Sequence, residues 1–500
     1  MSLNQAFVWN LGTCCPGVLV KQARSNASSK PIREKSQAAE TARTRVPIQD
    51  RGAEQPVVVK KSAKADGAKG LRYPALSKCQ LNKEEELMNK AKQFAISQEI
   101  VQEALKRVKA SKGAAGVDGE SIEEFEKDLE RNLFKIWNRM SSGSYFPPAV
   151  KCVEIPKDKG GVRKLGVPTV ADRVAQMVAK MYLEPEVEPI FHPDSYGYRA
   201  GKSALEAVGK ARERCFKKAW VIDLDIKAFF DTLSHELVMQ MVKKHTESQW
   251  ILLYVERWLK APLQKEDGTL VGRDAGSPQG SVISPLLSNI VMHHVFDDWM
   301  AKAYPHIEYE RYADDILLHC VSQTQAESML KAVKERFSEH KLEVNEQKTR
   351  LVYCKNANRP GEYAVEEFDY LGYTFKERTA INHRGELFRT FSPAISDRAK
   401  KELGREIRDW RLHMRSGHTL ERIALEINPR VQGWLNYYGR YGSSQVMPLC
   451  DRVEQYLVKW AMRKFKTMHR NRAKAREWLS RVKHEQPRLF AHWRYCAKSR

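Results

Sequence analysis

The sequence predicts an α+β chain, and three observations carry that prediction. Two short apolar runs, Tyr309–Tyr312 and Ile316–Leu318, flank the adjacent acids Asp314 and Asp315, the pattern of a β-hairpin with the acids at its tip. A second β-rich run opens the stretch WVIDLDIKAFF (Trp220–Phe230), with Asp225 at the C-terminal end of the strand and a helical pattern after Asp231. Apolar residues recur at helical spacing in Asp172–Leu183, Ser203–Cys215 and Gln325–His340, and again through Ser392–Arg415 and Leu420–Tyr441.

Five hundred residues suffice for several cores, and a hydrophobic fraction of 42% means that most of the chain folds. The formal net charge of +23 is unevenly spread. Residues 1–82 carry 14 Lys and Arg against 5 Asp and Glu, residues 459–500 carry 14 against 2, and the 376 between hold only +2. Basic ends of this kind fit a polyanion, and with no apolar run near the length of a membrane span that polyanion is nucleic acid. The nine cysteines include no C-x-x-C pair, which disfavours a zinc site or a disulfide framework and fits a reducing compartment. Residues 1–33 lack acids and carry four Lys and Arg, a weak match to an organelle transit peptide; an unstructured basic leader fits better.

Taken in order, residues 1–82 are rich in Ala, Ser, Lys, Arg and Gln and are expected to be disordered. Helical spacing begins after Lys83, followed by the glycine-rich loop Ser111–Gly119 and an amphipathic helix over Ile122–Met140. A strand over Tyr145–Pro156, broken by Pro147 and Pro148, turns at Lys157–Gly161 and returns as Val162–Val167, making a basic hairpin. Asp231 is placed to cap the helix that follows. Ala275–Ile290 opens with Gly276-Ser277-Pro278-Gln279-Gly280 and turns helical at Ser284-Pro285, proline in a first turn being a start signal. A strand is expected over Leu342–Lys348, a strand pair over Glu367–Phe375, and a basic helical tail from Lys459 that contains Trp460, Trp478 and Trp493.

The acids carry the chemistry. Two carboxylates on a tight turn repel each other unless a cation sits between them, although the dipeptide alone favours a solvated turn. Asp225 supplies a third carboxylate from another strand end. Three carboxylates so gathered can hold two Mg²⁺ ions roughly 3.5–4 Å apart, an arrangement suited to phosphoryl transfer and to hard oxygen ligands. Asp223 alternates with Asp225 and shares its face.

DIKAFFD, GSPQGSVISPLLSNI and YADD, in that order, resemble the reverse transcriptases encoded by group II introns, and the resemblance runs from about Gln98 to the C-terminus. It implies a right-hand polymerase: fingers and palm over 83–387, an α-helical thumb and maturase domain over 388–458, and a basic DNA-binding tail over 459–500. It implies an RNA-directed DNA polymerase that assists splicing of the intron RNA and performs target-primed reverse transcription during intron mobility. Asp225, Asp314 and Asp315 become the catalytic ligands of two Mg²⁺ ions, with Asp223 structural. Lys157 and Arg163 match positions that hold the triphosphate, Phe230 the aromatic under the sugar, Gln279 the lining of the nucleotide pocket, and Lys348 a proton donor to pyrophosphate. From the residues alone, Phe230 reads equally as core, Lys348 as a surface lysine, and the 157–163 hairpin as a solvated turn.

The implied partners are group II intron RNA, template RNA, a DNA primer, target DNA and deoxynucleoside triphosphates, with no membrane and with room for a homodimer. The implied location is the bacterial cytoplasm, an organelle being the alternative. Many relatives continue into an HNH endonuclease rich in His and paired Cys; none of that pattern follows Lys459, so the expectation is a bacterial-type protein without it. Two other readings stay open: a domesticated reverse transcriptase serving DNA repair or phage defence, and a non-catalytic intron splicing factor, against which the three intact acids argue.

Overall fold

The computed structural model describes residues 93–156, 162–381 and 384–498. Lys157 and the segment 1–82 lie outside these. Helix α1 (Gln98–Ala110) starts at Ser97, whose hydroxyl accepts from the Ile100 amide. The single helix expected over 122–140 is two, α2 (Ile122–Glu126) and α3 (Leu129–Ser141). A capping box between Ser121 and Glu124 opens the first, Asp128 leaves the helical region after it, and the Asn132 side chain donates to the Phe125 carbonyl. Strand β1 (Val150–Pro156) begins beyond the two prolines, which cannot donate to a ladder, and β2 (Val162–Val167) returns antiparallel to it.

Helix α4 (Val170–Val187) and α5 (Ala204–Lys217, opened by the Ser203–Glu206 capping box) lead into β3 (Trp220–Asp225). Asp231 lies within the one-turn α6 (Phe229–Thr232), and Ser234 caps α7 (His235–Val242) instead, accepting from the Leu237 amide. Then come α8 (Gln249–Lys260), the two-residue strands β4 (Leu263–Gln264) and β5 (Leu270–Val271), α9 (Ser284–Met292), a π-turn over His293–Asp297 and α10 (Asp298–Ala303). The hairpin β6 (Glu308–Tyr312) and β7 (Asp315–Cys320) is followed by α11 (Gln323–Glu339).

Two expectations for the following segment are corrected. The strand expected at 342–348 lies at β8 (Arg350–Tyr353), because the Asn345 carbonyl accepts from the amides of Lys348 and Thr349 and makes this stretch a turn. After β9 (Glu367–Tyr370) and β10 (Tyr373–Ile381), residues 387–395 form β11 (Leu387–Ile395), paired with β10 from Tyr373↔Ile395 to Ile381↔Leu387. The helix expected from Ser392 therefore begins only at α12 (Asp397–Asp409), where the Ser396 hydroxyl accepts from the Ala399 amide. Helices α13 (Leu420–Tyr438), α14 (Met447–Lys464), α15 (Arg472–Glu485) and α16 (Ala491–Lys498) complete the described chain.

The central sheet has the antiparallel order β6-β7-β3-β8, beside a sheet β2-β1-β4-β5 and a sheet β11-β10-β9. Alternation along β3 divides the core. Trp220, Ile222 and Leu224 join one cluster with α1, α4, α8 and α9, while Val221 faces a second cluster with α5 and the C-terminal helices. Asp223 and Asp225 continue the Val221 face. The domain boundary expected at 458/459 falls inside α14, and Trp460, Leu479, Phe490 and Trp493 are buried with Trp434 in the second cluster. The basic C-terminal segment is thus folded into this helical unit. Among the described residues no helix is long and apolar enough to cross a membrane.

Candidate active site

Backbone register places the acids. Asp225 stands opposite Asp315 across the β3–β7 ladder, Asp315 stands opposite Tyr312 across the hairpin, and Asp314 occupies the turn. The turn is tight, with Ala313 at φ 59°, and a buried scaffold supports it. The Arg311 guanidinium, fully buried, donates to Asp297 (Nε, 3.0 Å; NH2, 2.6 Å), to Asn289 and to the Ala313 carbonyl (NH1, both 3.0 Å), and to the Ser195 hydroxyl (NH2, 2.8 Å). All five of its N–H groups are satisfied. Gly197 lies against the turn so closely that a Cβ there would sit 2.4 Å from the Ala313 nitrogen.

Asp225 is gripped by the turn that replaces the expected strand. Lys348 Nζ lies 2.9 Å from both carboxylate oxygens, Asn345 Nδ2 lies 3.0 Å from Oδ2, and the Asn345 amide donates to the Asp225 carbonyl. Burial first, and then the charge of Asp315, raises the Asp314 carboxyl to about 6. Burial and Asp315 likewise raise Asp223 to about 7. Asp223 is therefore held towards its neutral form on the same face.

The donor set suits a hard divalent cation. Three carboxylates come from two strand ends, and the buried Oδ1 of Asp314 has no hydrogen-bond partner. Among the described residues, however, no three His, Cys, Asp or Glu side chains are drawn closely enough together to enclose an ion. The backbone brings the trio to neighbouring positions, and in the side chains the Asp225 carboxylate is held by the Lys348 ammonium and the Asn345 amide.

The loop Gly276–Gly280 meets this site from the side of β2. The Gly166 amide donates to the Gln279 carbonyl (2.7 Å), and the Ser277 amide to that of Phe230 (2.7 Å). Gly280, at φ 111°, could not carry a side chain, since a Cβ would lie 2.5 Å from the Gly166 oxygen. The Gln279 side-chain oxygen is buried and without a hydrogen-bond partner. The Phe230 ring is only 7% exposed and packs edge-on against Phe229. Arg163, on β2, is half-buried and its charge acts on the Tyr198 phenol, which burial together with Asp314, Tyr312 and Asp315 keeps protonated. Lys348 is brought to the acids; Lys157 lies outside the described residues.

Sequence reasoning missed Tyr198, Arg311, Asp172 and Gln176. Tyr198 has a left-handed backbone (φ 60°), and its ring lies 6.4 Å from that of Tyr312. Asp172 and Gln176 are polar residues four apart on the apolar helix α4, the one signal that could have singled them out.

Residues 155–375 match the reverse transcriptase (RNA-dependent DNA polymerase) family, and residues 400–478 match the group II intron maturase-specific domain. Protein YkfC of Escherichia coli K12 is 31% identical over 306 residues, which cover 52% of this chain and 78% of YkfC. The chain belongs to the group II intron reverse transcriptases. The group II intron-encoded protein LtrA of Lactococcus lactis subsp. cremoris is 26% identical over 214 residues, 42% of this chain and 35% of LtrA. A Saccharomyces cerevisiae protein named for intron 1 of COX1/OXI3 is 31% identical over 217 residues, 43% of this chain and 26% of its own length. The chain thus spans about a third and a quarter of those two relatives. Group II intron reverse transcriptases are RNA-directed DNA polymerases that act in intron splicing and mobility, and this chain carries both the polymerase and the maturase domain.

Proposed function

We propose that DNA synthesis on an RNA template takes place at the strand ends bearing Asp225, Asp314 and Asp315, with the central sheet as palm, the β1–β2 hairpin and preceding helices as fingers, and α12–α16 as thumb. The observation that carries this reading is Asp225 directly opposite Asp315 beside an Asp314 oxygen that is buried and unpartnered. Two Mg²⁺ ions bound by these carboxylates would supply Lewis acidity for displacement at phosphorus and neutralise the triphosphate. The chain's own residues do the rest. Lys348 holds Asp225 in the free protein, and its exposed, flexible stem lets the ammonium move to the departing pyrophosphate and give it a proton. Arg163 and Lys157 grip the triphosphate, Arg163 by forked hydrogen bonds. Gln279 offers its free oxygen to the incoming nucleotide, and Phe230 backs the sugar from beneath.

The reading extends to partners: template RNA, a DNA primer, deoxynucleoside triphosphates, target DNA and group II intron RNA. The basic C-terminal helices, with 14 Lys and Arg against 2 acids over 459–500, support the polyanion contacts.

The test is Asp314→Asn, which preserves shape and removes charge. Extension of an oligo-dT primer on poly-A is expected to be lost while RNA binding persists. Wild-type extension by the purified variant would overturn the assignment.

A further inference from the structure

A cleft of about 860 Å³ opens between α5, the outer half of the β10–β11 hairpin and the segment after α13. Its lining includes none of Asp225, Asp314 and Asp315. Its walls carry aromatic rings in an unusual state. Phe216 is 59% exposed and Phe388 38%, and Tyr441 forms the back, its hydroxyl so close to α5 that a Cβ on Gly209 would lie 2.6 Å away. Around the rings stand Arg212, whose guanidinium lies 5.8 Å from the Tyr441 ring centre, the half-buried Arg378 and the exposed Arg440.

Charge decides what such a cleft accepts. Its two carboxylates are already paired, Glu213 with Lys217 (2.7 Å) and Glu377 with Arg389 (3.6 Å). None of Arg212, Arg378 and Arg440 is ion-paired to a carboxylate among the described residues. Exposed aromatic faces for stacking, interleaved with guanidinium groups for phosphates, make up the chemistry of a single-stranded nucleic-acid site. The segment 440–445 along one wall lies within the maturase-specific match at 400–478, which favours RNA over DNA.

We infer that this cleft is a second nucleic-acid site, which binds a single-stranded stretch of RNA while the catalytic cleft holds template and primer. The inference rests on the polymerase reading above and adds a place where RNA would bridge α5, the β10–β11 hairpin and the segment that follows α13.

The test uses the full chain loaded with an annealed RNA template and dideoxy-terminated DNA primer, titrated with labelled oligouridylate. Phe216→Ala combined with Phe388→Ala is expected to weaken this binding about tenfold, the scale of one lost base stack. Arg440→Gln is expected to lower the slope of log affinity against log salt by about 0.7, one single-strand phosphate contact. All variants should extend an annealed primer within about twofold of wild type, which also shows that they fold. Unchanged oligouridylate binding would overturn the inference. So would equal binding of oligodeoxyuridylate, a parallel loss of extension, or a dimer that the phenylalanine variant dissociates. Retained activity in Asp314→Asn would instead strike the catalytic reading and leave the binding result standing.

Discussion

The side chain of Gln176 holds the backbone at Val282, its Oε1 accepting from the Val282 amide at 2.8 Å. The same oxygen accepts from the Ser281 hydroxyl at 2.5 Å, and its Nε2 donates to Asp172 at 2.9 Å. Asp172 in turn accepts from the Tyr145 hydroxyl and the Trp258 indole, both at 2.8 Å. A buried polar chain therefore runs from the N-terminal helices and α8 into the residues just after Gln279. Gln176→Ala should leave two buried donors and Asp172 short of partners, at about 1–3 kcal/mol per group. The expected outcome is lower stability in denaturant and a several-fold higher KM for deoxynucleotide. Wild-type values of both would remove the loop-positioning role.

Arg311 supports the acid-bearing turn through the Asp297 pair, with both side chains fully buried. Arg311→Met would strand the Asp297 carboxylate without its cation, a loss of about 3–5 kcal/mol. Arg311→Lys keeps the charge but cannot reproduce the five-donor fork, so it should recover only part of that stability. Urea unfolding of both variants measures this, and a variant Arg311→Lys as stable as wild type would contradict it.

Lys348 lies 2.9 Å from both Asp225 oxygens, so on the catalytic reading proposed above a divalent cation would have to compete with it for that carboxylate. Lys348→Gln should therefore lower the Mg²⁺ concentration needed for half-maximal extension while also lowering kcat, since the proton for pyrophosphate is lost. A merely structural lysine would change neither the Mg²⁺ midpoint nor kcat on its own. Single-nucleotide extension across a Mg²⁺ titration separates the two effects.

Asp172 makes stability depend on pH. Burial raises its carboxyl to about 6, above the value near 4 expected in the unfolded chain. The folded protein thus keeps a proton that the unfolded chain releases. This contribution is fully present below about pH 4 and is lost as pH rises through about 6, by about 2–3 kcal/mol. Asp172→Asn removes the titration. The stability difference between wild type and variant should shift by that amount between pH 4 and pH 7, in favour of wild type at the acid end; a constant difference would refute it.

Much of the site was legible because its elements are short and their signals local. Tyr309–Tyr312 and Ile316–Leu318 announced a hairpin whatever surrounds them, and Trp220–Asp225 announced a buried strand ending in an acid. The strand expected at Leu342–Lys348 yielded to a turn in which Asn345 and Lys348 bind Asp225, 120 and 123 residues away. The helix expected from Ser392 yielded to pairing with β10, and the helix over 122–140 broke where the Asp128 backbone leaves the helical region, a local stop that its apolar period did not show.

By itself, then, the sequence marked candidates for the chemistry: the acids at strand ends and the basic C-terminal segment from their own pattern, and Gln279 only through the family resemblance. Residue type and near-neighbour spacing carry that information, because hydrophobic period and turn chemistry act over a few residues. Tertiary structure alone decided that Asp225 faces Asp315, that Lys348 holds Asp225, that Gln176 braces Val282, and that the basic tail folds into the C-terminal core. Each of these depends on burial and on partners far apart in the chain. A polar side chain chooses among distant donors and acceptors only once packing has removed water from between them.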